Sequence, residues 1–100
     1  MKIFLDDLRK CPKGWKSVLS AEYCVNLLQK NNVKEISLDY NLGIVGKNGY
    51  DVLLWIEKQV ITNNYIPPKI NIHTSDLLAA HKMELMVKNI LKRINGEKFC

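Results

Sequence analysis

Three short apolar segments of this chain each end in side chains that can take part in chemistry. The segments are residues 2–5, 35–38 and 69–72, and the residues that follow them are Asp6 and Asp7, then Asp39, then His73, Thr74 and Ser75. Carboxylates can hold a divalent cation or attack a phosphorus atom. An imidazole exchanges protons near neutral pH, and hydroxyl groups can hold phosphate oxygens.

The three aspartates come close together if these segments are neighbouring parallel strands, because the carboxyl ends of such strands share one edge of the sheet. Two like charges about 4 Å apart cost about 4 kcal/mol at an effective dielectric constant near 20. A bound cation relieves that repulsion, and oxygen ligands suit Mg²⁺ or Mn²⁺ better than Zn²⁺. The alternative is a solvated loop in which Asp6 or Asp7 caps a turn.

The periodicity of the apolar residues predicts the elements that must position these side chains. Strands are predicted at residues 2–5, 15–18, 35–38 and 69–72. Helical spacing predicts three helices, whose apolar faces are Ala21, Cys24, Val25 and Leu28, then Val52, Leu53, Ile56 and Val60, then Met83, Val87, Ile90, Leu91 and Ile94. Ser20 and Asp76 are predicted to cap the first and the third helix.

The order of the elements predicts an α/β fold. Strands that alternate with helices favour a parallel sheet, here of about four strands, with helices on both faces. A chain of 100 residues normally shares one core, so residues 1–100 are predicted to form a single small three-layer domain. The loop at residues 40–49, which contains Gly43 and Gly46, is expected to lie over the site.

Composition and cysteine usage place the protein among globular cytoplasmic domains. Hydrophobic residues make up 47% and charged residues 25% of the chain, and no apolar run approaches the roughly 20 residues of a membrane span. The N-terminal segment is not expected to be a signal peptide, because two acids follow its short apolar run. The three cysteines, Cys11, Cys24 and Cys100, are odd in number and have no Cys-x-x-Cys spacing, so free thiols are expected.

The net charge of +5 is concentrated toward both ends of the chain. Residues 1–16 contain five cations against two acids, which describes either a solvated surface or one that attracts phosphate or nucleic acid. Trp15 lies beside Lys10, Lys13 and Lys16 in this segment. A nucleobase can stack on such a tryptophan, but a half-buried ring packed against the sheet is the more frequent arrangement.

The strand-end motifs resemble the receiver domains of two-component signalling, and more closely the compact cyclic-phosphate processing receiver-like family. The motifs that carry the likeness are Leu5-Asp6-Asp7-Leu8-Arg9, Ser37-Leu38-Asp39-Tyr40-Asn41-Leu42-Gly43, Gly49-Tyr50-Asp51-Val52-Leu53-Leu54-Trp55-Ile56, Pro67-Pro68-Lys69-Ile70 and His73-Thr74-Ser75-Asp76. The likeness covers about residues 2–90 and implies a flavodoxin-like fold that lacks the last receiver strand.

The resemblance also implies roles for individual residues. The implied metal ligands for Mg²⁺ or Mn²⁺ are Asp6, Asp7, Asp39 and the backbone carbonyl of Asn41; the implied catalytic residues are Asp39 and His73; and the implied phosphate-binding residues are Arg9, Thr74 and Ser75. The alternative role of Arg9 is a surface ion pair. The alternative role of Thr74 and Ser75 is to cap the helix that follows them. His73 is expected to protonate the leaving oxygen of a cyclic phosphate.

The sequence departs from the family pattern at two single positions and at one pair, and it departs from ordinary receivers in one further residue. Asn41 stands where the family prefers a second acid, and Asp76 stands where it prefers asparagine. The Gly-Arg pair found early in the last helix of the family is replaced here by His81-Lys82 as the nearest cationic pair. The lysine with which ordinary receivers answer phosphorylation has no clear counterpart.

The favoured hypothesis is a metal-dependent phosphoesterase that processes cyclic or terminal phosphates of nucleotides or RNA ends, with no membrane partner and no specified protein partner. A second hypothesis is a catalytically inert receiver-like module that binds a protein or nucleic acid through its basic ends. A signalling receiver that accepts phosphate on Asp39 is the third, and the missing fifth strand weighs against it.

Overall fold

A computed structural model describes residues 1–30, 32–42 and 47–94 of the protein. Gly43, Gly46 and Cys100 therefore lie outside the described residues. The strands are β1 (Lys2–Leu5), β2 (Lys16–Val18), β3 (Glu35–Leu38) and β4 (Lys69–Ile72), and the helices are α1 (Ala21–Lys30), α2 (Gly49–Asn63) and α3 (Leu77–Ile94). This is the predicted order, although Trp15 precedes the second strand instead of beginning it.

The four strands form one sheet in the order β2-β1-β3-β4, and every pair is parallel. Leu5 is paired with Val18 on one side and with Leu38 on the other, and Leu38 is paired with Ile72. The strands therefore end level with one another. The predicted small receiver-like α/β fold with an all-parallel sheet is confirmed.

Alternation of side chains along the strands gives the sheet two chemically different faces. One face, called the apolar face, carries Ile3, Leu5, Val18, Ile36, Leu38, Ile70 and Ile72, with the exposed Lys16 at the start of the edge strand β2. The other, called the polar face, carries Lys2, Phe4, Ser17, Glu35, Ser37, Lys69 and Asn71. Contacts across the polar face fit this assignment, since Glu35 binds both Lys2 and Asn71.

The three described helices pack together on the apolar face, with α2 between α1 and α3. This arrangement differs in one detail from the predicted fold, which placed helices on both faces. The physical reason is the connectivity: a loop, not a helix, joins β1 to β2. The crossovers through α1 and α2 run in the same direction across the sheet, and right-handed crossovers then place both helices on the same side.

The helix boundaries follow from the predicted caps and from one further motif. The Ser20 hydroxyl accepts from the backbone N–H of Tyr23, and the Asp76 carboxylate accepts from that of Ala79. A capping box begins α2: the Asn48 side chain accepts a hydrogen bond from the backbone N–H of Asp51, and the Asp51 side chain accepts one from the backbone N–H of Asn48. None of the three described helices has the length and hydropathy of a membrane span.

Burial within the helices agrees with the predicted apolar faces except near the end of α3. Cys24, Ile56, Met83 and Ile90 have no exposed surface, and each large apolar side chain buried in this way stabilises the fold by about 1.5–3 kcal/mol. Leu91 and Ile94 were predicted to join this face, but they keep 51% and 40% of their surface exposed. These two side chains therefore lie outside the buried core.

Candidate functional site

The sheet hydrogen bonds continue one residue beyond three of the strands and fix the backbone of the candidate site. The N–H of Asp6 donates to Val18, that of Asp39 to Leu5 and that of His73 to Leu38, at 3.1, 3.0 and 3.0 Å. Asp6, Asp39 and His73 therefore lie side by side at the carboxyl edge of the sheet. The chain leaves β1 toward β2 on one side and later returns to β3 on the other, so this edge is the switch point at which α/β proteins bind ligands.

Alternation along the strands also gives these three residues a common side. Each follows a residue of the apolar face, so each side chain is directed toward the polar face. One ligand atom from each of Asp6, Asp39 and His73 lies within 4.8 Å of the others. The structure thus brings together three of the predicted site residues, from three strand ends.

Asp6 is a fully buried carboxylate that is held in its ionised form. Its Oδ1 accepts from the backbone N–H groups of Leu8 and Arg9 at 2.8 and 2.9 Å, and its Oδ2 lies 2.9 Å from His73 Nε2. Burial raises the pKa of the Asp6 carboxyl, but the hydrogen bonds from Arg9, Leu8 and His73 outweigh burial and lower this pKa below its usual value. The loop after β1 folds back onto Asp6 because these N–H groups bind it.

His73 has hydrogen-bond partners for both ring nitrogens. An ionised carboxylate only accepts, so Nε2 donates to Asp6, and in the neutral ring Nδ1 accepts from the Ser37 hydroxyl at 2.7 Å. The ring also stacks on Phe4 with centroids 4.4 Å apart and planes 3° from parallel. In this geometry His73 orients Asp6, and the predicted donation of a proton to a substrate requires the ring to exchange one of its two partners.

Asp39 lies where the chain leaves β3, and a close backbone approach holds its main chain in place. Its Oδ1 accepts from the N–H of Tyr40 at 2.8 Å. Gly49, the first residue of α2, donates its N–H to the carbonyl of Tyr40. A Cβ atom at Gly49 would lie 1.8 Å from the carbonyl oxygen of Asp39, so only glycine permits this approach.

A groove of about 430 Å³ opens at this edge of the sheet. Its lining consists of Leu8, Asp39, Asn41, Thr74, Ser75 and Asp76. Four of the predicted site residues therefore share one cavity. The Thr74 hydroxyl accepts a hydrogen bond from the N–H of Asp76, and the Asp76 side chain caps α3. The predicted alternative role of Ser75 as a helix cap is therefore filled by Asp76.

Arg9 connects the loop after β1 to the end of β4. Its Nη1 donates to the backbone carbonyl of His73, and its Nε lies 3.9 Å from Asp6 Oδ2. About half of the side chain, 47%, remains exposed. The predicted phosphate-binding role thus coexists with a structural role, because an arginine has five N–H donors and these contacts use few of them.

The acidic residues fit a divalent cation that prefers oxygen ligands. Asp7 Oδ1 is buried and has no hydrogen-bond partner among the described residues, which is costly for a carboxylate oxygen. Asp6 and Asp39 supply the carboxylate oxygens that lie together with His73 within 4.8 Å, whereas Asp7, although next to Asp6 in sequence, is not a member of this group. A cation bound by Asp6 and Asp39 would offset the negative charge of these two carboxylates, and the buried Asp7 Oδ1 is a further oxygen able to bind a cation.

Ser37 and Leu8 contribute to the site although sequence reasoning did not select them. Ser37 is 8% exposed and hydrogen-bonds to His73. The sequence did contain an indication of the role of Ser37, because a serine between Ile36 and Leu38 in a buried strand needs a hydrogen-bond partner. Leu8 lines the groove and is 87% exposed, and its sequence position next to Asp7 gave no such signal.

Comparison with known proteins identifies the family of this chain. A sequence model of the cyclic-phosphate processing receiver domain matches residues 1–89, which is most of the chain and includes every strand-end residue described above. Neither the curated proteins nor the solved structures provided a match to the chain. The chain belongs to the cyclic-phosphate processing receiver domain family.

Proposed function

We propose that the protein is a divalent-metal-dependent phosphoesterase that opens cyclic phosphates, or removes terminal phosphates, of nucleotides or RNA ends. The observation that carries the proposal is the meeting of Asp6, Asp39 and His73 at the carboxyl edge of the sheet in a receiver-like domain linked to cyclic-phosphate processing. The groove beside Asp39 has room for a phosphate-bearing ribose.

The proposed roles follow from the position of each group. Asp6, Asp7 and Asp39 would hold Mg²⁺ or Mn²⁺, which when bound polarises a phosphoryl oxygen and offsets the charge that develops on it. The hydroxyls of Thr74 and Ser75, which line the groove, would hold phosphate oxygens.

Hydrolysis adds water across one P–O bond of the cyclic ester, and the leaving ribose oxygen takes up a proton. In the proposal His73 acts as the imidazolium, and its Nε2–H keeps donating to Asp6. Its Nδ1–H leaves the Ser37 hydroxyl and gives its proton to the ribose oxygen, while the proton lost by the attacking water goes to solvent. Release of Ser37 is less costly than release of Asp6, because a bond to a hydroxyl contributes less than a bond to a charged carboxylate.

The test measures binding and turnover separately. Calorimetric titration with Mg²⁺ and Mn²⁺ should show saturable binding by the wild type, and Asp39→Asn should weaken it at least about tenfold. Glu84→Gln removes an exposed carboxylate of α3 and is the matched control. Hydrolysis is then followed with each ion present, for 2′,3′-cyclic and 3′,5′-cyclic nucleotides and for RNA that ends in a 2′,3′-cyclic or a 3′-phosphate. No hydrolysis of any of these substrates would refute the enzymatic proposal.

A catalytically inert binding module is the second candidate, and one observation favours it. Both nitrogens of His73 and both oxygens of Asp6 already have hydrogen-bond partners, so this part of the site is stable without a ligand. Such a module would bind no divalent ion at millimolar concentration. The same titration therefore distinguishes the two candidates.

A further inference from the structure

The polar face of the sheet and the residues that flank it form a cationic and aromatic surface. Lys2, Ser17 and Lys69 on this face are exposed, and none of the three described helices packs on it. Glu35 is the acid of this face, and its carboxylate is already engaged by Lys2 at 3.9 Å and by Asn71 at 2.7 Å. Asp6 and Asp39 are also directed toward this face, but they lie at its carboxyl edge, whereas Lys2 and Lys69 lie at the start of their strands. The positive charge that Glu35 does not offset is therefore that of Lys69 and of the lysines that flank the face.

Trp15 stands at one side of this face as a half-buried ring. The ring meets Phe4 edge to face at a centroid distance of 6.5 Å and an angle of 79°, and Lys2 Nζ lies 5.4 Å from its centroid. Lys10 and Lys13, both exposed, belong to the loop that carries it. An aromatic ring beside several lysines is the arrangement on which bases stack while the phosphates are neutralised.

We propose that the polar face binds single-stranded RNA, with a base on Trp15 and the backbone along Lys2 and Lys69, and leads its 3′ phosphate end into the groove beside Asp39. This inference rests on the proposed function and narrows its substrate to an RNA end. A 2′,3′-cyclic phosphate requires a ribose 2′-hydroxyl, so RNA and not DNA provides it.

The continuity between the polar face and the site supports this path for the strand. Phe4 of the polar face stacks directly on His73 of the site, and Ser37 of the same face hydrogen-bonds to Nδ1 of that imidazole. Neighbouring strands are about 4.8 Å apart, so the exposed side chains Lys2, Ser17 and Lys69 are spaced to contact the bases and phosphates of one extended strand. An acidic peptide would use the lysines alone and would not need the aromatic ring or the polar side chains.

The experiment measures binding without metal or turnover. A fluorescein-labelled, ten-nucleotide single-stranded RNA with a 3′-hydroxyl end is titrated by anisotropy in buffer with chelator. Trp15→Leu should weaken binding about tenfold, whereas Trp55→Leu on α2 should leave it within about twofold. The pair Lys2→Gln with Lys69→Gln should lower the slope of log affinity against log salt by about 1.4, and Lys30→Gln with Lys58→Gln should leave it unchanged.

The outcomes separate this inference from the proposed function. Binding that depends on Trp15, Lys2 and Lys69 supports the inference even if no cyclic nucleotide is hydrolysed. The inference is overturned if the RNA does not bind, or if the test variants and the control variants lose affinity equally. It is also overturned if a polyglutamate peptide competes as well as RNA does. Each of these results counts even if mononucleotide hydrolysis is found. Circular dichroism of each variant confirms that the fold is intact, and Trp15→Phe provides a milder variant that keeps an aromatic ring.

Discussion

His73 Nε2 lies 2.9 Å from Asp6 Oδ2, although 67 positions separate the two residues in the chain. The contact joins the end of β4 to the end of β1 across the intervening strand β3. It fixes the direction in which the buried carboxylate points, because Oδ1 is simultaneously held by two backbone N–H groups. The orientation of the acidic group is therefore a property of the whole sheet and not of the loop that carries it.

The tautomer of His73 is the first prediction. In the neutral ring the proton is expected on Nε2, because Asp6 can only accept, and ¹⁵N NMR of the imidazole distinguishes the two forms. Ser37→Ala removes the donor to Nδ1 and should lower the free energy of unfolding by about 1 kcal/mol. Ser17→Ala, an exposed serine of the same face, is the control and should change it little. A proton found on Nδ1 of the neutral ring would contradict the proposed hydrogen-bond pattern.

The acid sensitivity of the fold is the second prediction. The pKa of Asp6 is lowered in the folded state, so its ionised carboxylate stabilises the protein fully above the usual value of 3.8. That contribution is lost as the pH falls through the lowered folded pKa. Asp6→Asn should reduce stability at pH 7 by about 2 kcal/mol, and the difference from wild type should shrink below about pH 3.8.

Urea unfolding at a series of pH values measures this difference. Glu84→Gln again serves as the control, because it removes an exposed carboxylate and its curve should run parallel to that of the wild type. A difference between wild type and Asp6→Asn that stays constant down to pH 2 would show that the charge of Asp6 contributes nothing to stability.

The third prediction concerns the stability contributed by the close approach of α2 to the end of β3. Gly49→Ala places a methyl group against the carbonyl oxygen of Asp39 and should destabilise the protein by about 3 kcal/mol or more. Gly14→Ala is the contrasting control. Gly14 has a φ of +87° and open space around it, so its substitution should cost only the conformational strain, about 1–2 kcal/mol. Thermal melting compares the two, and equal losses would contradict the steric argument.

The reactivity of the thiols is the fourth prediction. Burial raises the pKa of Cys24 to about 12, so at pH 8 only about one thiol in ten thousand is ionised. Cys11 is partly exposed. A thiol-specific reagent should therefore label Cys11 in the native protein and reach Cys24 only on unfolding, as followed by peptide mass spectrometry. Rapid labelling of Cys24 in the native state would show that α1 opens frequently.

The sequence by itself determined the elements and the identity of the residues at their ends. Apolar runs that stop at Asp6, Asp39 and His73 marked three strands, and the caps Ser20 and Asp76 were readable because short polar side chains satisfy the first N–H groups of a helix. These are local properties, since hydrogen bonds between near neighbours and simple periodicity decide them.

Only the tertiary structure decided how those residues combine. The helices share one face because a loop, not a helix, follows β1, and crossover handedness acts on the whole connection. The partners of His73 are Asp6, Ser37 and Phe4, which come from two other strands, and strand register places them within contact distance. No local pattern specifies such a pairing, because it depends on which strands are neighbours and on which side of the sheet each side chain lies.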